Sequence, residues 1–350
     1  MQLQAPQFWE SKGLFSLLLW PLSLIYRVVI AVRKLLFNMK VLTSQQLPVP
    51  VIFVGNLRVG GTGKTPCVIA LAKALQQKGF QPGVITRGYR SQLRGDETKE
   101  VFSTDQALAV GDEALLMARQ LYPWQVPVWI GSKRYLAGHY LLEKHTSCNV
   151  IISDDGLQHL ALARRVARDG GQDIEIIVRD DRGEGNELLL PAGPLREPTT
   201  RPRDITVNMK IYSTDHDLSL SDRFLAPQTF EIACYMRQAY QLINPSIKQD
   251  LKDWLGKRVL AVAGIAAPEK FFKPLRDLGL DLESLALEDH ADLSSINWNR
   301  YPRSSTDIIL MTEKDAVKCQ HLQDDRIWVV PLEAVIPNGM IDCISAVLYR

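Results

Sequence analysis

One glycine-rich stretch, "VGNLRVGGTGKTP" (Val54 to Pro66), constrains this chain more than any other, because of what stands on either side of it. The preceding "PVPVIFVGN" is short, β-branched and closed by Gly-Asn, which reads as a fully buried strand. The following "TPCVIALAKALQQKG" has helical apolar spacing and stops at Gly79. A glycine-rich turn between a strand and a helix is a cradle for phosphate. Gly60, Gly61, Thr62 and Gly63 can turn their N–H groups toward oxyanions, and the helix N-terminus adds partial positive charge. Lys64 then reaches the outer phosphates of ATP and the Thr65 hydroxyl is placed to ligate Mg²⁺. Pro66 falls in the first turn, where a missing N–H costs little.

The spacing departs from the usual G-x-x-x-x-G-K-S/T, because Arg58 stands five positions before Gly63. The order G-G-x-G-K-T is similar to that of the deviant Walker proteins. Their lysine ahead of the paired glycines is Val59 here, so nucleotide binding is expected without a lysine supplied to a partner. No N-K-x-D string is present, which favours adenine over guanine.

Further strand-to-loop and loop-to-helix patterns follow in alternation: "QPGVITRGYR", "GDEALLMARQL", "VPVWIGSKRYLAGHYLLEKH", "CNVIISDDGLQH" and "DIEIIVRDD". Alternation of this kind predicts an α/β fold of P-loop NTPase type, with a mostly parallel sheet flanked by helices. A second alternating unit begins near "KRVLAVAGIAAPEKFF" and ends in the late strand "RIWVVPLEAVI", predicting a smaller C-terminal α/β domain. The expected division is an N-terminal helix at 1–40, a phosphate-loop domain at 41–210, a connection at 211–240 and the second domain at 241–350.

Asp154 and Asp155 stand just past a buried strand, where a parallel sheet opens toward the phosphate cradle, and so are candidate metal and catalytic carboxylates. A plain turn would also read Asp-Asp-Gly. From spacing alone, Asp112 and Glu113 in "VGDEA" are helix-capping acids and His290 in "EDH" is a surface histidine. Arg87 and Arg90 of "TRGYR" are either phosphate clamps or a basic loop.

Charge and cysteine content narrow the function classes. A net charge of +2 gives no basic excess for a dedicated nucleic-acid binder. Five scattered cysteines without a C-x-x-C pair offer neither a zinc site nor a disulfide frame and suit a reducing compartment. The apolar run "GLFSLLLWPLSLIYRVVIAVRKLLF" is broken by Pro21 and Arg27 and has no signal-cleavage site. It predicts a helix lying in the membrane interface, with Arg27, Arg33, Lys34 and Lys40 facing anionic head groups. A helix packed against the main domain is the alternative.

Taken in order, "VGNLRVGGTGKTP", "TRGYR", "GDEALLMA", "SDDGLQH", "LLLPAGPLREP", "AGIAAPEKFF", "EDH" and "MTEKDAVK" resemble the tetraacyldisaccharide 4′-kinases, the lipid A kinases of Gram-negative bacteria. The resemblance implies transfer of the ATP γ-phosphate to the 4′-hydroxyl of a tetraacylated glucosamine disaccharide 1-phosphate, at the cytoplasmic face of the inner membrane. It implies that Lys64 and Thr65 serve phosphate and Mg²⁺, that Asp154 and Asp155 form the metal centre, and that Asp112 is the general base paired with His290. Its strings also supply the expected substrate contacts, Arg87, Tyr89, Gln158 and Asn186. The departures are Ala114, Leu157, Glu187 and Ala291, where the family commonly has Pro, Phe, Gly and His. No nucleic acid and no obligate protein partner are expected. The alternative function is a membrane-associated nucleotide switch of deviant Walker type, which Val59 counts against. A metallochaperone is disfavoured by the scattered Cys and His.

Overall fold

The computed structural model describes residues 6–213, 228–289, 291, 296, 298–319 and 321–350. His290 lies outside the described residues. Helix α1 (Leu14–Asn38) precedes β1 (Val51–Gly55), α2 (Lys64–Gln77), β2 (Pro82–Thr86), β3 (Thr98–Val101), α3 (Ala107–Val110) and α4 (Asp112–Leu121). Then come β4 (Val128–Gly131), α5 (Arg134–Lys144), β5 (Val150–Asp154), β6 (Ile174–Arg179), β7 (Ile205–Tyr212) and β8 (Thr229–Tyr235). A second series holds β9 (Gln238–Gln241), β10 (Lys248–Asp250), β11 (Val259–Ala263), α6 (Glu269–Asp277), β12 (Leu282–Ala286) and β13 (Ile308–Thr312). The chain ends with α7 (Glu313–Ala316), β14 (Ile327–Val330), β15 (Glu333–Val335) and α8 (Asn338–Leu348).

Strands β8, β7, β6, β1, β5, β2 and β4 lie side by side in that order and run parallel. Antiparallel β15 and β3 close the two edges. Every residue of β1 and β5 is buried, as apolar strands covered by helices on both faces must be. One face packs on α2, α4 and α8, and the other on α5 and Leu157. Central β1 pairs with β5 in a register that sets Val54 against Asp154. The phosphate loop and the Asp154–Asp155 pair therefore leave the sheet together, at the carboxyl edge where such sheets bind ligands. The smaller sheet runs β10-β9-β14-β13-β11-β12, with its last four strands parallel.

The structure departs from the expected division at residues 211–240. That segment contains β8, which forms seven register pairs with β7 in the first sheet. The late strand at 327–335 is likewise two strands, β14 in the second sheet and β15 in the first. Pro331 separates them: it has no N–H to give to a ladder, and the chain changes sheets there. Helix α8 then packs into the core of the first sheet through Met340, Ile341 and Ile344. Pro21 does not stop α1, which runs through it as one helix of 25 residues.

Candidate active site

Gly60 and Gly63 adopt φ of 104° and 87°, a left-handed conformation that gives the loop its curl and that other residues enter only with strain. Arg58 accounts for the unusual spacing. It is 2% exposed, and its guanidinium binds the Glu10 carboxylate and, at 3.3 Å, the Arg182 carbonyl. Val59 N–H donates to the Pro194 carbonyl at 2.9 Å. The first half of the loop is thus pinned by the 182–196 connection rather than turned by a glycine. At the other end the Lys64 ammonium lies 3.0 Å from Asn56 Oδ1 and 3.3 Å from Asp155 Oδ1, oxygen partners of the kind a phosphate would offer.

The two carboxylates are held differently. Asp154 is buried, and its Oδ2 accepts from the Thr86 hydroxyl at 3.0 Å. Its Oδ1 is buried with no hydrogen-bond partner among the described residues, and so is the Thr62 hydroxyl. Burial, reinforced by Glu113, pushes Asp154 up to about 6. Burial also opposes the charge on Asp155, but Lys64 and Arg196 outweigh it and lower its pKa. An orphaned carboxylate oxygen beside an ionised one, next to a glycine cradle and a lysine, fits a hydrated divalent cation and a polyphosphate.

This has a measurable consequence in metal-free protein. Asp154 titrates near 3.8 when unfolded and near 6 when folded. The folded state holds the proton more tightly, so the contribution to stability is complete below the lower value and is lost as pH rises through the upper one. Asp154→Asn removes that loss. At pH 7.5 without magnesium the variant is expected to be more stable than wild type by up to about 3 kcal/mol, with the gap closing near pH 4. Thermal melts across pH check this, and a variant that melts lower at pH 7.5 would contradict it.

A cavity of about 590 Å³ opens beside Asp155. Tyr26, Ile30, Arg33 and Lys34 of α1 form one wall, and Arg87, Arg134, Gln158, His159 and Arg196 line the rest. Five cations there face two carboxylates, Asp155 and Glu197, a balance that suits an anionic ligand. His159 is lowered to about 4 by burial and by Arg134, Arg164 and their neighbours, so its imidazole is neutral. Helix α1 reaches this site with its polar side inward. Ser23 donates to the Leu189 carbonyl at 2.7 Å, Tyr26 to the Arg196 carbonyl at 3.3 Å, and Lys34 pairs with Glu197 at 2.5 Å. Most of its large apolar side chains face outward, including Leu14, Leu18, Ile25 and Val29.

Across the sheet edge, Asp112 is the first residue of α4 and is 6% exposed. Preceding Gly111 has φ 89°, and a side chain there would meet the Tyr89 carbonyl at 2.5 Å, so the loop admits only glycine. Lys314, from the second unit, binds Glu113 at 3.0 Å and Asp289 at 3.3 Å. Burial works against its charge, but Glu113, Asp112 and Asp289 outweigh this and raise its pKa.

Among the residues expected to contact substrate, Arg87 and Gln158 meet at the cavity, and Gln158 also donates to Asn56 O at 3.2 Å and Glu197 at 3.0 Å. Tyr89 is exposed on the adjoining loop. Asn186 is not with them. It is buried, and its amide donates to Phe8 O, Ser16 Oγ and Ala192 O, tying the N-terminal segment to the 186–192 loop. Glu187, where the family commonly has glycine, takes φ 62°, a left-handed conformation that costs a non-glycine residue about 1 kcal/mol. The sequence reading missed Arg134, His159, Arg196 and Glu197 as lining residues. Three of these lie inside strings already singled out, while Arg134 opens α5 with no motif around it.

A family model described as tetraacyldisaccharide-1-P 4′-kinase matches residues 15–349. The tetraacyldisaccharide 4′-kinase of Polynucleobacter necessarius subsp. necessarius (strain STIR1) is 45% identical over 99% of this chain and 96% of its own length. That of Herminiimonas arsenicoxydans is 40% identical over 95% of this chain and 92% of its own. A crystal structure of LpxK from Aquifex aeolicus in complex with ATP superposes with a TM-score of 0.74 at 28% identity, covering 96% of this chain and all of that one.

Proposed function

Because the chain belongs to the tetraacyldisaccharide-1-phosphate 4′-kinase family, we propose a role for each part of the site in phosphoryl transfer to a membrane-held sugar. The protein is an ATP-dependent kinase that phosphorylates the 4′-hydroxyl of a tetraacylated disaccharide 1-phosphate in lipid A biosynthesis. The observation that carries the assignment of parts is the cationic cavity, which joins the inner side of α1 to Asp155 and, through it, to Lys64.

In this reading the N–H groups of Gly60 to Gly63 cradle the phosphates, and Lys64 exchanges Asn56 and Asp155 for phosphate oxygens. Thr65, Asp154 and Asp155 would hold magnesium, which when bound would neutralise charge on the outer phosphates. Arg87 and Gln158 orient the sugar head, with Tyr89 at the entrance, and Asn186 supports the substrate loop from behind. Asp112 accepts the proton of the attacking hydroxyl and His290 orients it. Supporting that pair, Asp289 is bound to Lys314, which also binds Glu113 in the first turn of α4. The two sheets act as two domains around the cleft, residues 41–235 with 333–350 forming one and 236–332 the other.

Purified protein given ATP, magnesium and the disaccharide lipid is expected to yield lipid carrying a new phosphate. ATP hydrolysis with unmodified lipid would instead favour the nucleotide switch.

The enzyme works as a peripheral protein on the cytoplasmic face of the inner membrane. Helix α1 is long and apolar enough to cross a bilayer. Ser16, Ser23, Tyr26 and Lys34 bind it to the globular body along most of its length, which supports a helix lying in the interface over one that spans. Lying in the interface lets the lipid keep its chains in the bilayer, where extracting each CH₂ would cost about 0.8 kcal/mol. Leu18→Asp with Ile25→Asp places charge on the outward face only. Flotation with anionic vesicles is expected to drop severalfold while the melting temperature holds. Undiminished flotation would place the membrane contact elsewhere.

A further inference from the structure

The string "AGIAAPEKFF" runs from β11 into α6, and the roles above leave it without a task. It lies against the phosphate loop. A side chain on Gly61 would stand 3.7 Å from the Ala266 Cβ, and the Lys270 ammonium donates to the Gly61 carbonyl at 3.0 Å. The Arg182 guanidinium donates to the same oxygen at 2.7 Å. Both cations also bind buried Asp180, Arg182 through Nε at 3.0 Å and Nη2 at 2.6 Å, Lys270 through its ammonium. Asp180 and Arg182 follow β6 of the first sheet, whereas Lys270 sits on α6 beside the second. One carbonyl of the loop is therefore gripped from both sides of the molecule.

Such a grip acts on what the loop presents to phosphate. Fixing the Gly61 carbonyl fixes its peptide plane, so the N–H of Thr62 on the same plane is aimed in advance. Cations on the carbonyl polarise that N–H into a better donor, and their charge adds to the potential at the cradle. Asp180 keeps the two cations from repelling each other and sets their direction. Resting on the phosphate-loop reading above, we propose that Lys270 is a positioning residue for ATP, holding the Gly61 peptide in its binding orientation from the second domain.

The test uses the full-length protein, a fluorescent ATP analogue with magnesium, and steady-state kinetics for both substrates. Lys270→Met is expected to raise the analogue Kd and the KM for ATP about tenfold, the worth of one charge-assisted hydrogen bond, with kcat and the lipid KM within about twofold. Lys270→Arg, which keeps the charge and a donor, is expected to recover most of the loss. If Lys270→Met does not fold, Lys270→Gln, a neutral donor, is expected to show an intermediate Kd. An unchanged analogue Kd in a folded, neutral variant overturns the proposal. So does a parallel loss of both KM values and melting temperature in the Met and Arg variants alike, because that is the mark of a purely structural contact. Wild-type protein that fails to bind the analogue would overturn the nucleotide reading itself, a result distinct from either of these.

Discussion

Asp112→Asn is expected to lower kcat by about 10²-fold or more, while the affinity for ATP stays within about twofold. Asparagine matches aspartate in size and keeps an oxygen for the Glu113 N–H, which Asp112 Oδ1 accepts at 3.0 Å. Gly111, which sets the angle at which α4 leaves its loop, is untouched. What the substitution removes is a charge and a proton acceptor. The carboxylate stands at the N-terminus of α4, with the Lys314 ammonium nearby. Equal affinity for an ATP analogue would show that the phosphate cradle is intact. A variant with kcat within threefold of wild type would remove Asp112 from the proton-accepting role.

The site was legible from sequence wherever the chemistry is carried by neighbours along the chain. Gly60 to Gly63 form one turn that runs straight into Lys64 and Thr65 at the start of α2, and Asp154 closes its strand with Asp155 the next residue, so both could be placed by reading forward. The misplacements share another cause. Strand β8, "TFEIACY", has the pattern of a strand, but nothing local states which sheet its N–H groups will pair with. That is settled by seven register pairs with β7 and three with β15, residues about a hundred positions downstream. Edge strand β3, "TKEV", has only one fully buried residue and gives almost no apolar signal. Arg134 shows the same limit at the level of one side chain. A lysine-arginine pair at a helix start reads as solvated charge, yet Arg134 is buried, donating to the Gly131 carbonyl at 2.7 Å, and burial lowers it to about 10. The sequence marks α1 as apolar, but nothing local marks its few polar residues as its attachment points. Ser16 and Ser23 look incidental in the sequence and turn out to be its buried face.

Lys64→Met is expected to lower kcat/KM by about 10³-fold, with weaker ATP binding and slower chemistry both contributing. In the proposed assignment the ammonium serves two sets of charges at different stages. Before nucleotide arrives it balances Asp155 at 3.3 Å and moderates Asp154, the group that burial already pushes toward its neutral form. When the triphosphate is bound it faces oxygens whose charge grows as the bond to the leaving group stretches. Methionine fills most of the same volume but does neither. Asp155 would be left with Arg196, at 3.3 Å, and the more distant Arg134, and Asp154 would be harder to ionise. The variant should therefore need more magnesium for half-maximal nucleotide binding as well as more ATP. Lys64→Arg is expected to recover little. The ammonium sits between Asn56 Oδ1 and Asp155 Oδ1, a slot that a planar, wider guanidinium cannot enter without displacing one of them. Magnesium titrations of analogue binding separate these effects from simple loss of a phosphate contact. A Met variant with wild-type magnesium dependence would show that the lysine acts on the phosphate alone, and an Arg variant near wild-type activity would show that the slot is less restrictive than this geometry requires.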